Sequence, residues 1–210
     1  MKLAFIIIAL LIAIFFTVAA IGRKKPTEKT PATLYPYVIP QTYLENNQTV
    51  LSGIVRPLGH GLLASLVFDL DGLVQSVTVE DLTRINMTAD QAHRRALQNL
   101  ELLAKANVVK MAVFPDGPSA KPFVLVGGHW AAATSILLPG LKGLVEGALG
   151  TSDILISIPH REAMLLFPQG DRAHRDALRA MVKEKESDGR KPLTFELFTL
   201  GQDGVVPYVE

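Results

Sequence analysis

The sequence predicts an α+β domain in which a mixed, largely antiparallel sheet is built from β-hairpins alternating with helices, preceded by a single transmembrane helix. Three observations predict it. Residues 3–21 (LAFIIIALLIAIFFTVAAI) run for nineteen positions without a charge. Further on, two β-rich apolar runs followed by a helical stretch form a unit that recurs about three times. Tight-turn signals separate the paired runs, Asp71-Gly72 being the strongest. The recurrence is architectural, with no residue-level repeat.

The apolar run comes first. At ~1.5 Å per residue a helix over 3–21 matches a hydrocarbon core of ~30 Å, and Thr17 is its only polar residue. A buried helix of a soluble protein would show a polar face, and this one has none. Lys2 precedes the span, whereas Arg23, Lys24, Lys25 and Lys29 follow it. Retention of positive charge on the cytoplasmic side therefore predicts an uncleaved single-pass anchor in the inner membrane, with the N-terminus outside and the domain in the cytoplasm. The lipid bilayer is then the partner of residues 3–21. Thr17-Val18-Ala19 and Val18-Ala19-Ala20 resemble small-residue cleavage sites, so a secreted or periplasmic domain after signal cleavage is the alternative. Residues 22–33 (GRKKPTEKTPAT) read as a basic flexible linker, and 34–210 as the domain.

Within the domain, 34–56 is punctuated by proline and partly extended, with Tyr35, Tyr37, Val38 and Ile39 expected along a surface groove. Runs 62–68 and 73–79 make the first strand pair, turned at Asp71-Gly72. A helix is expected over 88–105, with Thr88 as its cap and Gln91 closing a capping box. Ala92, Ala96, Leu97, Leu100, Leu103 and Ala104 share its apolar face. Runs 108–114 and 122–126 form the second pair across Asp116-Gly117-Pro118. A helix over 130–138 stops near Pro139-Gly140. Leu141, Leu144, Val145, Ala148 and Leu149 continue an amphipathic stretch. Runs 154–158 and 163–167 pair across Pro159-His160-Arg161-Glu162. Asp171 caps a third helix reaching about Glu186, and 193–200 and 205–209 close the chain around Gln202-Asp203-Gly204.

The order of these pieces resembles the YtpQ-like family, a bacterial family without an assigned activity. LYPYVIP at 34–40 and LVFDLDGLVQSVTVEDL at 66–82 carry the resemblance, followed by RRALQNLELL at 94–103 and FVLVGGHWAAATSILLP at 123–139. DILISIPHREAMLLFP at 153–168 and PLTFELFTLGQDGVVPYV at 192–209 complete it. The family's helix before the turn that IPHRE occupies here often begins with Asp and carries an Arg before Ile-Leu. Here that stretch, 131–137, has Ser135 before Ile136 and neither group. The resemblance implies a fold, not an activity.

Composition narrows the chemistry. The absence of cysteine among 210 residues excludes disulfides, thiolate catalysis, iron–sulfur clusters and Cys-based zinc sites. A net charge of +1, with no aromatics interleaved among the bases, excludes a strongly basic nucleic-acid binder. Val67-Phe68-Asp69-Leu70-Asp71-Gly72 looks like the first motif of haloacid-dehalogenase-type phosphatases, where the first Asp attacks phosphorus and the second is the acid/base beside magnesium. The Thr expected after Gly is Leu73, and β-rich sequence runs on, so a plain hairpin is the competing reading. His160, Arg161 and Glu162 place an imidazole, a guanidinium and a carboxylate in one turn, against the reading of a polar hairpin tip. Gly127, Gly128 and His129 precede Trp130 at a strand-to-helix junction whose backbone N–H groups suit an anion. The five histidines show no metal-ligand spacing, so neither metal nor cofactor is expected. The sequence therefore predicts a membrane-tethered, non-catalytic binding or regulatory module with a membrane-protein partner. The alternative is a phosphatase-like hydrolase using Asp69 and Asp71 with magnesium, or His160.

Overall fold

A computed structural model describes residues 28–45, 54–115, 121–188, 191–201 and 204–209. The apolar span 3–21 and the linker residues 22–27 lie outside these. Among the described residues no helix is long and apolar enough to cross a membrane.

The chain enters through a 3-10 turn at Pro31–Thr33 and forms β1 (Leu34–Pro40), a single helical turn α1 (Thr42–Glu45), β2 (Arg56–Gly59), β3 (Leu62–Leu70) and β4 (Leu73–Ser76). Two helices follow, α2 (Val79–Arg84) and α3 (Ala89–Lys105). Next come β5 (Lys110–Phe114), β6 (Phe123–Gly127), a second 3-10 segment (Ala133–Leu137) and α4 (Leu141–Leu149). The chain ends with β7 (Ile154–His160), β8 (Ala163–Pro168), α5 (Arg172–Glu186), β9 (Leu197–Gly201) and β10 (Gly204–Pro207).

The α+β class is seen, but as two sheets where one mixed sheet was expected, and every pairing among the described strands is antiparallel. In the smaller sheet β3 is the centre. β1 lines one edge of it over its whole length, while β2 and β4 lie end to end along the other. The larger sheet runs β10-β9-β7-β8-β6-β5. The separation follows from connectivity: α2 and α3 carry the chain away before β5 can pair with β4.

Period-two alternation assigns the faces. Leu34, Leu66 and Phe68 pack under α3 against Ala92 and Ala96. Leu155, Leu165 and Phe167 pack under α5 against Leu178 and Val182. The opposite face of the larger sheet, with Val124, Ile156 and Leu166, is covered by Ala131–Ala133, Ile136 and the Leu141, Val145 and Leu149 stripe of α4. Because both faces are covered, the central strands read as continuous apolar runs.

Local signals set the helix ends. Thr88 and Gln91 form the capping box of α3, at 3.3 Å and 2.8 Å, and Asp171 caps α5 through the His174 N–H at 2.8 Å. A second box, Thr78 with Asp81, opens α2. Pro139 stops the segment before it, which takes the tighter 3-10 form instead of the expected α-helix over 130–138. Its Ser135 hydroxyl bonds back to the Ala131 carbonyl at 3.1 Å, and Thr134 Oγ1 accepts from the Val38 N–H at 3.3 Å.

Two further expectations change. Tyr37, Val38 and Ile39 are buried inside β1 and do not line a surface groove, because β3 pairs along the whole strand. Residues 28–33 of the linker are fastened to the domain. The Lys29 ammonium pairs with Asp81 at 3.0 Å, and the Asn99 amide donates to the Pro31 carbonyl at 2.8 Å. Burial alone would raise the Asp81 pKa, but Lys29 and the Thr78 N–H together hold it below the usual carboxylate value.

Candidate functional site

Two segments singled out by the sequence meet. β6 pairs with β8 so that Gly127 stands opposite Ala163, and a Cβ added to Gly127 would lie 3.6 Å from the Glu162 carbonyl. The Gly127-Gly128-His129-Trp130 turn and the Arg161-Glu162 tip therefore share one end of the larger sheet. Gly128 takes φ 76°, which an L side chain resists, and His129 Nδ1 accepts from the Ala131 N–H at 3.2 Å.

That end presses against β1 of the smaller sheet. Arg161 Nη1 donates to the Tyr37 hydroxyl at 2.6 Å, and the guanidinium lies 4.6 Å from the centre of the Tyr37 ring. Trp130 meets Tyr35 and Tyr37 edge-on, with ring centres 5.8 Å and 5.7 Å apart. The Arg161 carbonyl accepts from the Ala133 N–H at 3.1 Å. Burial raises both phenols above their ordinary value of 10.0. The Asp69 charge adds to the rise at Tyr35, and the Arg161 guanidinium opposes it at Tyr37. The Nε atom of Arg161 and Nε1 of Trp130 are buried without a hydrogen-bond partner. A cation on an aromatic face, beside two edge-to-face ring pairs, joins the two sheets and is a clamp in its chemistry.

His160 serves a different element. Its Nε2–H donates to Glu186 Oε2 at 2.7 Å, the carboxylate at the end of α5, while Nδ1 accepts from the Glu162 N–H at 3.3 Å. Those partners fix the Nε2–H tautomer of the neutral ring. The Glu162 side chain is exposed.

Asp69 and Asp71 stand apart on the β3–β4 hairpin. Asp69 Oδ1 accepts from the Gly72 N–H at 3.1 Å, and Asp71 is exposed at the tip with φ 54°. Leu73 continues directly into β4, opposite Leu70. The structure thus gathers Gly127, Gly128, His129, Arg161 and Glu162 at one place, turns His160 towards α5, and leaves the two aspartates in a turn. Among the described residues no three His, Asp or Glu side chains group as metal ligands.

Sequence reading did not single out the apolar surface around β5. A cavity of about 470 Å³ opens there, lined by Met111, Val126, Leu138 and Leu144 with the charged Glu101 and Lys105. Leu144 of the amphipathic α4 is exposed beside it. A second cavity of about 530 Å³ lies across the Pro139-Gly140 turn, among Leu58, Leu137, Leu141, Leu200 and Val205. Neither holds Asp69, Asp71 or His160. No local signal marks these surfaces, because they form where elements distant in sequence leave a gap.

No family model, no curated protein and no solved structure matches the chain.

Proposed function

We propose that this chain is a membrane-tethered YtpQ-like domain that binds a membrane-protein partner and has a regulatory rather than a catalytic role. The observation that carries the binding half is the open apolar surface beside β5, where Met111 and Leu144 border a cavity of a size that suits a partner's side chains. The titratable groups with the best chemical credentials support the non-catalytic half. Asp69 closes a turn, His160 holds Glu186, and Arg161 holds Tyr37. The charge-free run 3–21, followed by Arg23, Lys24 and Lys25, supports an inner-membrane anchor with the domain in the cytoplasm.

Fractionation tests the tether. The full-length chain should sediment with membranes and need detergent for release, and its domain should resist protease added to intact spheroplasts. Recovery in the soluble fraction, or digestion from the outer side, overturns the location. For the binding half, Leu144→Glu should abolish co-purification of the membrane-protein partner in mild detergent without shifting the thermal melt; unchanged co-purification overturns the surface. Magnesium-dependent phosphate release that disappears in Asp69→Asn would overturn the non-catalytic half.

A further inference from the structure

The strand edges of this protein are protected unequally. An exposed edge offers a row of unpaired N–H and C=O groups to another strand, and proteins blunt such edges with proline, charge, short length or a cover. The free edge of β1 carries Pro36 and Pro40, and its Val38 N–H is taken by Thr134. β2 is four residues long and contains Pro57, and β4 is four residues long and half polar. β10 ends in Pro207, whose ring packs so closely on Gly59 of β2 that no Cβ would fit there.

β5 has almost none of this. It forms the end of the six-stranded sheet, its only sheet partner among the described strands is β6, and all five of its residues are exposed. Met111, Val113 and Phe114 are 39%, 52% and 39% exposed, and Lys110 is its single charge. No proline or bulge interrupts it.

We infer that β5 is a self-pairing edge: two copies of this chain join β5 to β5, antiparallel, about a two-fold axis through Ala112. The second copy is the occupant because the strand is complementary to itself in that register. Met111 falls opposite Val113 of the other copy, and the converse pair repeats it on the same face. These are the side chains on the Val124 and Val126 side of the sheet, since Met111 pairs with Val126 and Val113 with Val124. Lys110 falls opposite Phe114, whose ring is stacked on Phe123 within its own sheet. The two Lys110 side chains are kept apart, about 14 Å along the ladder. Each polar position thus meets an apolar or aromatic one, and like charges never face each other. The ladder adds about four to six hydrogen bonds and merges two six-stranded sheets into one. A five-residue ladder is short, so the association should depend on concentration, and confinement on a membrane would strengthen it. The pairing rests on the geometry of β5 and holds whether or not residues 3–21 are inserted in lipid.

The chain has no cysteine, so a single introduced thiol reports only on its own counterpart. The test uses the full chain, in detergent micelles or in plain buffer according to the fraction in which it is recovered. Opposed Ala112 positions would have Cα atoms about 4.5–5.5 Å apart, within disulfide reach. Under mild oxidation Ala112→Cys should therefore give at least about fivefold more covalent dimer than Lys110→Cys, whose thiols lie beyond that reach, or than Val206→Cys on the opposite edge. Adding Val113→Lys to Ala112→Cys puts charge into the apolar pair and should cut the dimer yield about fivefold, with the circular-dichroism melt unchanged. Light scattering of the chain without any introduced thiol should show a dimer that Val113→Lys converts to monomer, which keeps the question open to refutation if a cysteine variant fails to fold. Equal yields at positions 110, 112 and 206, or a monomer at every concentration, would overturn the inference. A failed tether appears in fractionation alone and leaves these readings intact.

Discussion

The β3–β4 hairpin closes over two residues, Asp71-Gly72, and so does the β7–β8 hairpin, at Arg161-Glu162. In the first, both tip residues take positive φ, 54° and 92°, the form that continues the natural twist of the strands. That tip is exposed and fastened by its own Asp69. In the second, neither tip residue has positive φ, and a bulge shifts the ladder between Ser157 and His160, around Pro159. A bulge re-aims the side chains next to it. Here it directs Arg161 onto Tyr37 in the other sheet and His160 onto α5. The difference teaches that a cluster of ionisable residues in a turn does not announce its work. The regular tip is fastened to its own backbone through Asp69, whereas the irregular one reaches the other sheet and α5.

Removing what the irregular tip grips should break this comparison most severely. Trp130, the only tryptophan in the chain, packs on both Tyr35 and Tyr37. Trp130→Ala should cost about 3 kcal/mol in urea unfolding followed by circular dichroism. Arg161→Ala removes the guanidinium from the ring and the bond to the Tyr37 hydroxyl, and should cost about 2 kcal/mol. Arg161→Lys should recover less than half of that, because an ammonium keeps the charge but not the flat stacking surface. A loss below about 0.5 kcal/mol for Arg161→Ala, within the usual range of surface substitutions, would show the tip to be as self-contained as its counterpart on β3–β4.

The clamp also predicts a response to alkali. Burial raises the Tyr37 phenol above its ordinary 10.0, so the folded chain keeps a proton that the unfolded chain releases. The phenol's contribution is complete below pH 10.0 and is lost as pH rises through the folded value. Tyr37→Phe keeps the ring and loses the acceptor, at a cost of about 1 kcal/mol near neutrality. Its stability should fall less steeply than that of the unaltered chain above pH 10.0. Parallel curves would mean that the phenol does not gain its proton affinity from folding.

The same contrast marks what could be read in the sequence. Thr88 with Gln91, Asp171 before its helix, and Asp71-Gly72 between two runs are recognised three or four residues away, and each does in the structure what its local chemistry requires. Tyr37 and Arg161 are 124 residues apart, and nothing near either announces the other. The Gly127–Trp130 turn and the Pro159–Glu162 turn were legible as turns, but their meeting depends on β6 lying beside β8. Strand order is set by which faces can be buried together, a property of the whole chain. For the same reason the openness of β5 was hidden: KMAVF reads alike at the centre of a sheet and at its end.

The smallest effects belong to the β3–β4 tip, and they bear directly on whether its aspartates do chemistry. Asp69→Ala removes the acceptor for the Gly72 N–H at an open turn and should cost no more than about 1 kcal/mol. Asp71→Gly should be neutral or stabilising by a few tenths of a kcal/mol, since glycine takes the left-handed conformation without a steric penalty. Both variants should leave magnesium-dependent phosphate release at the background of the buffer, as should the unaltered chain. A catalytic pair would behave differently, because Asp69 as nucleophile and Asp71 as acid/base act only together and only on a substrate held between them. Their side chains would have to converge on a pocket, whereas Asp69 is turned to the backbone of Gly72 and Asp71 stands in solvent at the tip. Colorimetric phosphate release above background that vanishes in both variants would make this tip, and not its counterpart on β7–β8, the one that exports its chemistry.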